Sequence, residues 1–209
     1  MNKPSRVRQQ HPQLFVRANK QTGFSLLEVL ISVAVLSFGL LGMVGLQAAA
    51  LQGNRDARLQ STAVQLAREL AEMMRGNKDI ALLAGAANPY LRDFSSPLTA
   101  ASPNYCLSVS SAACGNPTEV ANAQMTEWLA RVDAELPGAQ VGVCIDSAPY
   151  DATGKPRWAC ATTGTDATTV IKLGWTRATT DRSQTGAAAV QKANIAPLIV
   201  FPITAGNTL

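Results

Sequence analysis

Histidine is almost absent from this sequence: His11 is the only one, and it lies in a polar stretch ahead of Gly23. The chain also has no C-x-x-C pair and no G-x-S-x-G segment. A hydrolase built on a Ser-His or Cys-His pair needs an imidazole base, and the sequence after Gly23 contains none. A zinc site would have to recruit Cys106, Cys114, Cys144 and Cys160 together, at spacings unlike those of structural zinc sites. No catalytic residue, metal ligand or cofactor is therefore assigned. Charge is scarce at 15%, and aromatic residues make up 5%. Acidic residues are missing altogether before Gly23, where Lys3, Arg6, Arg8, Arg17 and Lys20 supply five of the 18 basic side chains. Beyond that leader 13 basic residues face 14 acids, a formal charge of −1 that gives no basic patch for nucleic acid.

What the sequence does have is a long apolar run, "GFSLLEVLISVAVL", interrupted near its start by Glu28 and then uncharged from Val29 to Leu51. That length suffices for a membrane helix. The basic leader in front of it predicts a cytoplasmic N-terminus and a C-terminal part on the far side. A cleaved secretory signal is the competing reading, and "QAAALQ" offers an Ala-x-Ala pattern at Gln47–Gln52. Two features oppose it: the run exceeds the roughly 7–15 residues of a signal core, and Glu28 sits within it. The helical pattern also continues, with Leu59, Ala63, Leu66, Leu70 and Met73 or Met74 at spacings of three and four. "RGN" at Arg75–Asn77 supplies a stop. One helix is expected from Phe24 to about Arg75, roughly 75 Å long at 1.5 Å per residue. Its first half is apolar all round and its second half amphipathic. Gly39, Gly42, Gly45 and Gly53 read either as bends and close-contact points or as ordinary membrane-helix glycines.

Residues 77–115 are rich in loop formers, including Pro89, Pro97 and Pro103. A second helix starts after Asn116, with Pro117 at its first position and Glu119 three beyond the cap. Ala121, Met125, Trp128, Leu129, Val132 and Leu136 form one face, which makes Trp128 a core residue, and "LPG" ends the helix. Four strands are expected: "QVGVCI", "RWACAT", "TVIKLGWT" and "PLIVF". An even cysteine count beyond a membrane segment suits two disulfides in an oxidising compartment. Of the three connectivities, Cys106–Cys114 with Cys144–Cys160 is preferred because both close short loops, the second stapling neighbouring strands. Thr162–Thr169 and Thr179–Ala193 read as exposed loops. Asp146, Asp151 and Asp166 lack the spacing of a calcium loop and read as solvated turn residues.

The segment "KQTGFSLLEVLISVAVL" resembles the type IV prepilin signature, a basic leader followed by Gly-Phe-Ser/Thr-Leu-x-Glu and an apolar helix. The resemblance implies that prepilin peptidase cuts between Gly23 and Phe24, that the new amine of Phe24 is methylated, and that the helix becomes filament core. It also explains Glu28. A carboxylate in hydrocarbon is unfavourable by roughly 2.5–3.5 kcal/mol on insertion scales. A Phe24 amine, in the same chain or a neighbouring subunit, would neutralise it and fix axial register. "CGNPTEVANAQMTEWLARVDAELPG" with the later "VC" and "LGW" looks like the PilV branch of minor pilins, the type IV pilus modification proteins. The chain departs from major pilins in having glycines rather than a proline in the membrane helix.

The resemblance implies an α+β, type IV pilin-like fold: a long N-terminal helix on a small antiparallel sheet, with one extra helix and two disulfides. The expected divisions are a cleaved leader at 1–23, a membrane or filament-core half-helix at 24–51, an amphipathic half at 52–76 and a periplasmic globular domain at 77–209. The implied partners are the major pilin, other minor pilins, prepilin peptidase and the inner-membrane assembly platform. The implied location is the inner membrane, single pass, and then the pilus surface, in a role supporting twitching motility or adhesion. A minor pseudopilin of a type II secretion system shares the signal, helix and fold.

Overall fold

The computed structural model describes residues 23–162, 167–178, 183, 185, 191, 192, 196–204 and 206. The chain divides into two compact units, Met1–Ala49 and Ala50–Leu209.

In the first unit the described residues belong almost entirely to helix α1, Leu26–Gly76, which continues into the second unit. Ser25 caps it, its hydroxyl accepting from the Leu27 amide at 3.3 Å. Every described residue of this unit is exposed. Ser32 and Ser37 return their hydroxyls to the carbonyls of Glu28 and Val33, both at 2.7 Å, so neither is an unmet donor. Gly39, Gly42 and Gly45 have open space where a Cβ would stand, so they serve no close contact among the described residues.

The second unit is built on the remainder of α1. Ala63, Leu66, Ala67, Leu70, Ala71 and Met74 are buried at helical spacing, which gives this half of the helix a core face. After α1 come a one-turn helix α2 (Lys78–Ala81) and the first strand β1 (Arg92–Ser95). Buried Asn88 organises that connection: its amide donates to the Ala81 and Leu83 carbonyls at 2.9 and 3.0 Å, and its oxygen accepts from the Tyr90 amide at 3.0 Å.

Helix α3 spans Pro117–Glu135. The Asn116 side chain accepts from the Glu119 amide at 2.9 Å, while Glu119 accepts from the Gly115 amide at 2.7 Å. Ala121, Met125, Trp128, Leu129, Val132 and Leu136 are all buried. Trp128 is core, and its indole donates to the Leu66 carbonyl at 2.9 Å, tying α3 to α1. Arg131 and Glu69 add an ion pair at 2.5 Å. Gly138 then turns the chain at φ +57°, and a Cβ there would lie 2.9 Å from Thr176 Cγ2.

The remaining strands are β2 (Gln140–Asp146), β3 (Thr168–Gly174), β4 (Arg177–Ala178), β5 (Gln191–Lys192) and β6 (Ile199–Ile203). β1, β2, β3 and β6 form one antiparallel sheet in the order β1-β2-β3-β6, while β4 and β5 pair separately. Register puts Phe94, Val141, Val143, Ile171 and Leu173 on one face, in the same cluster as the buried faces of α1 and α3. Pro202 is tolerated within β6 because that strand is an edge. The architecture is type IV pilin-like α+β, with one long helix, one further substantial helix, a four-stranded antiparallel sheet and two disulfides.

Three expectations are corrected. "RWACAT" is not a strand: residues 157–162 cross over the sheet in irregular conformation. The sheet instead gains β1, from a segment read as loop. The loops read at 162–169 and 179–193 give way to strand at Thr168 and at Gln191–Lys192, while residues 163–166, much of 179–190, and Ala193 lie outside the described residues.

Candidate functional sites

Gly23, Phe24 and Glu28 lie together at the start of α1. Phe24 is 84% exposed and precedes the helix by two residues. Glu28 occupies the first turn, where helix amides favour a negative charge. Its carboxylate is exposed and forms no ion pair among the described residues. Downstream, Leu30, Phe38, Leu41 and Leu46 are between 69% and 76% exposed. Among the described residues α1 is the one helix long and apolar enough to cross a membrane, with a mean hydropathy of 2.4 in its most apolar window. An uncovered apolar surface of this extent needs lipid or protein around it.

The second notable cluster lies on the opposite face of the sheet from the core. Register places Asp93, Gly142 and Lys172 in one row, with Cys144 beside Val170 and Asp146 beside Thr168. The segment 147–162 covers Gly142, Lys172 and Asp146, while Asp93 at the β1 edge stays exposed. Trp158 lies over Gly142, where an added Cβ would stand 2.9 Å from Asp93 Oδ1 and 3.7 Å from the indole. Lys172 Nζ donates to Asp146 Oδ2 at 2.6 Å and to the carbonyls of Trp158 and Ala159 at 3.2 and 3.0 Å. Asp146 Oδ1 accepts from the amides of Ala148 and Ala161, both at 2.9 Å. Both charged side chains are fully buried.

This arrangement explains why "RWACAT" leaves the sheet. Carbonyls that a ladder would use are turned onto an ammonium, which completes their hydrogen bonding without a strand partner. Burial pushes the Asp146 carboxyl up, but Lys172 and the two amides outweigh it and hold the group below its usual range. Asp146 is thus a buried structural anion, correcting the reading of it as a solvated turn residue. Asp151 does sit exposed in a turn, accepting from the Thr153 and Lys155 amides at 2.8 and 2.9 Å. Asp166 lies outside the described residues.

Both cystines form: Cys106 with Cys114, and Cys144 with Cys160. The second joins β2 to the covering segment rather than to a neighbouring strand. Cys144, Asp146 and Cys160 bring three ligand-type atoms within 4.8 Å of one another. The two sulfurs are bonded to each other and the carboxylate is held by Lys172, so this set has no thiolate to offer a metal. Beside it a groove of about 630 Å³ is lined by Arg92, Asp93, Gln140 and Trp158, among others.

Comparison with known proteins bears on the N-terminal site. Residues 18–44 match the family described as "Prokaryotic N-terminal methylation motif". No curated protein and no solved structure matches the chain. The match covers the Gly23-Phe24 junction, Glu28 and most of the apolar run, and together with the α+β fold it supports a type IV pilin-like protein. A protein of this class is a prepilin-peptidase substrate that assembles with other pilins in a pilus or pseudopilus.

Proposed function

We propose that this chain is a structural, non-catalytic subunit of a type IV pilus: a minor pilin of the PilV branch that helps prime or modify the filament. The observation that carries this reading is the N-terminal methylation motif at the mouth of an apolar helix whose second half is core to an α+β unit. Prepilin peptidase cleaves between Gly23 and Phe24 and methylates the Phe24 amine. Residues 24–51 hold the subunit in the inner membrane and then in the filament core, residues 52–76 join the helix to the globular part, and residues 77–209 face the periplasm and then the pilus surface. Glu28 meets the Phe24 amine of a neighbouring subunit. That pairing removes a charge from hydrocarbon and rejects misregistered subunits, each of which would bury it unpaired. The partners are the major pilin, other minor pilins and the assembly platform.

A minor pseudopilin of a type II secretion system is the second reading, favoured by the fact that the matched motif is common to pili and pseudopili. Deleting the gene separates the two. Loss of twitching motility and surface pili with normal exoprotein secretion supports the pilus. Lost secretion with normal pili supports the pseudopilus.

A further inference from the structure

We propose that a pocket at the start of the globular unit binds the phosphodiester headgroup of a bilayer phospholipid. The pocket has a volume of about 260 Å³ and takes Arg55 from α1 and Arg177 from β4, with Leu51 and Leu59 among its lining. Neither arginine has an ion-pair partner among the described residues, although Asp56 lines the same pocket. Two arginines against one aspartate leave a net positive charge at this concavity, and guanidiniums suit the bidentate recognition of phosphate oxygens. The side-chain amide of Gln52, also in the lining, adds a neutral donor.

The ligand is a lipid rather than a free anion for two reasons. Leu51 and Leu59 give the pocket apolar walls that inorganic phosphate cannot use but the glycerol and upper acyl carbons of a phospholipid can. Position along the chain agrees. Leu51 ends the apolar run, and Arg55 is the first charged residue after Glu28. At about 1.5 Å per helical residue, Arg55 follows that run by about 6 Å, the depth of a headgroup. Such a site would hold the subunit at a fixed height in the membrane until the filament extracts it. The inference rests on the reading that the apolar half of α1 lies in a bilayer before assembly.

The test uses the full chain in nanodiscs of phosphatidylethanolamine and phosphatidylglycerol, released in a native mass spectrometer. Wild type is expected to retain one phospholipid per chain. Arg55→Gln with Arg177→Gln should retain about tenfold less, having lost both charge-assisted contacts. The Arg→Lys pair should retain an intermediate amount. Arg68→Gln, an exposed arginine of α1 outside the pocket, should match wild type. A near-ultraviolet circular dichroism spectrum identical to wild type shows that the double glutamine variant is folded. Equal retention by wild type and that folded variant overturns the proposal. So does displacement of the lipid by millimolar inorganic phosphate, which would mark a bare anion site. Failure of the wild-type chain to enter the disc would overturn the membrane reading itself, and the headgroup site with it.

Discussion

Replacing Lys172 by methionine keeps most of the apolar stem and removes only the ammonium, leaving Asp146 in a fully buried position without its counter-ion. Breaking one side of a buried pair typically destabilises by about 3–5 kcal/mol. Asp146 still accepts from the Ala148 and Ala161 amides at 2.9 Å, so the lower end, about 3 kcal/mol, is expected. The carbonyls of Trp158 and Ala159 lose their donor as well, which frees the covering segment. Unfolding in urea, followed by tryptophan fluorescence, should show a midpoint lower by about 1–3 M for an m-value of about 1–3 kcal/mol/M. Replacing both partners, Asp146→Leu with Lys172→Met, should recover most of the loss, because neither charge is then left alone. The pH dependence carries a sign. The folded Asp146 carboxyl lies below its ordinary value of 3.8, so its contribution is complete above that pH and is lost as pH falls towards the folded value. The gap between wild type and Lys172→Met should therefore narrow below pH 3.8. An unchanged midpoint, or a double variant no better than the single, would refute the claim that this pair locks the segment down.

Glu28→Gln should leave membrane insertion and cleavage intact but lower incorporation into filaments; comparing the membrane pool with sheared pili checks this, and wild-type abundance in the pili would remove the carboxylate's assembly role. Removing Cys144–Cys160 should cost about 3 kcal/mol and removing Cys106–Cys114 somewhat less, since the sequence separations are 16 and 8 residues; urea midpoints of the paired Cys→Ser variants decide it. Trp128→Ala should destabilise by about 3–5 kcal/mol through a core cavity and the lost bond to Leu66, read from the same denaturation curve.

The parts of the fold that were legible in the sequence are those governed by local patterning. Apolar positions recurring at three and four residues revealed the amphipathic half of α1, and Asn116, Pro117 and Glu119 marked the start of α3 because their signals act within one turn. β1 gave no such signal: of its four residues only Phe94 is buried, too few to establish an alternation. Lys172 was missed for a related reason. In "TVIKLG" it alternates with Ile171 and Leu173, which reads as a solvent-facing lysine on an antiparallel strand. Its burial depends on a segment 10 to 25 residues earlier folding over it, which no local pattern encodes. A lysine in a strand, an aspartate ending the preceding strand and a cysteine pair around them were the only available hints. At the N-terminal site the opposite holds: Gly23, Phe24 and Glu28 lie in one short stretch of sequence, so the motif matched at residues 18–44 was readable as written.

The central claim is that the Gly23-Phe24 junction is a prepilin-type processing site, and mass spectrometry of the N-terminal peptide of the pilus-associated protein tests it most directly. A mature chain beginning at N-methylated Phe24 is the expected result. A chain beginning at Leu51, as a conventional secretory signal would leave, or one that retains its basic leader, would contradict it.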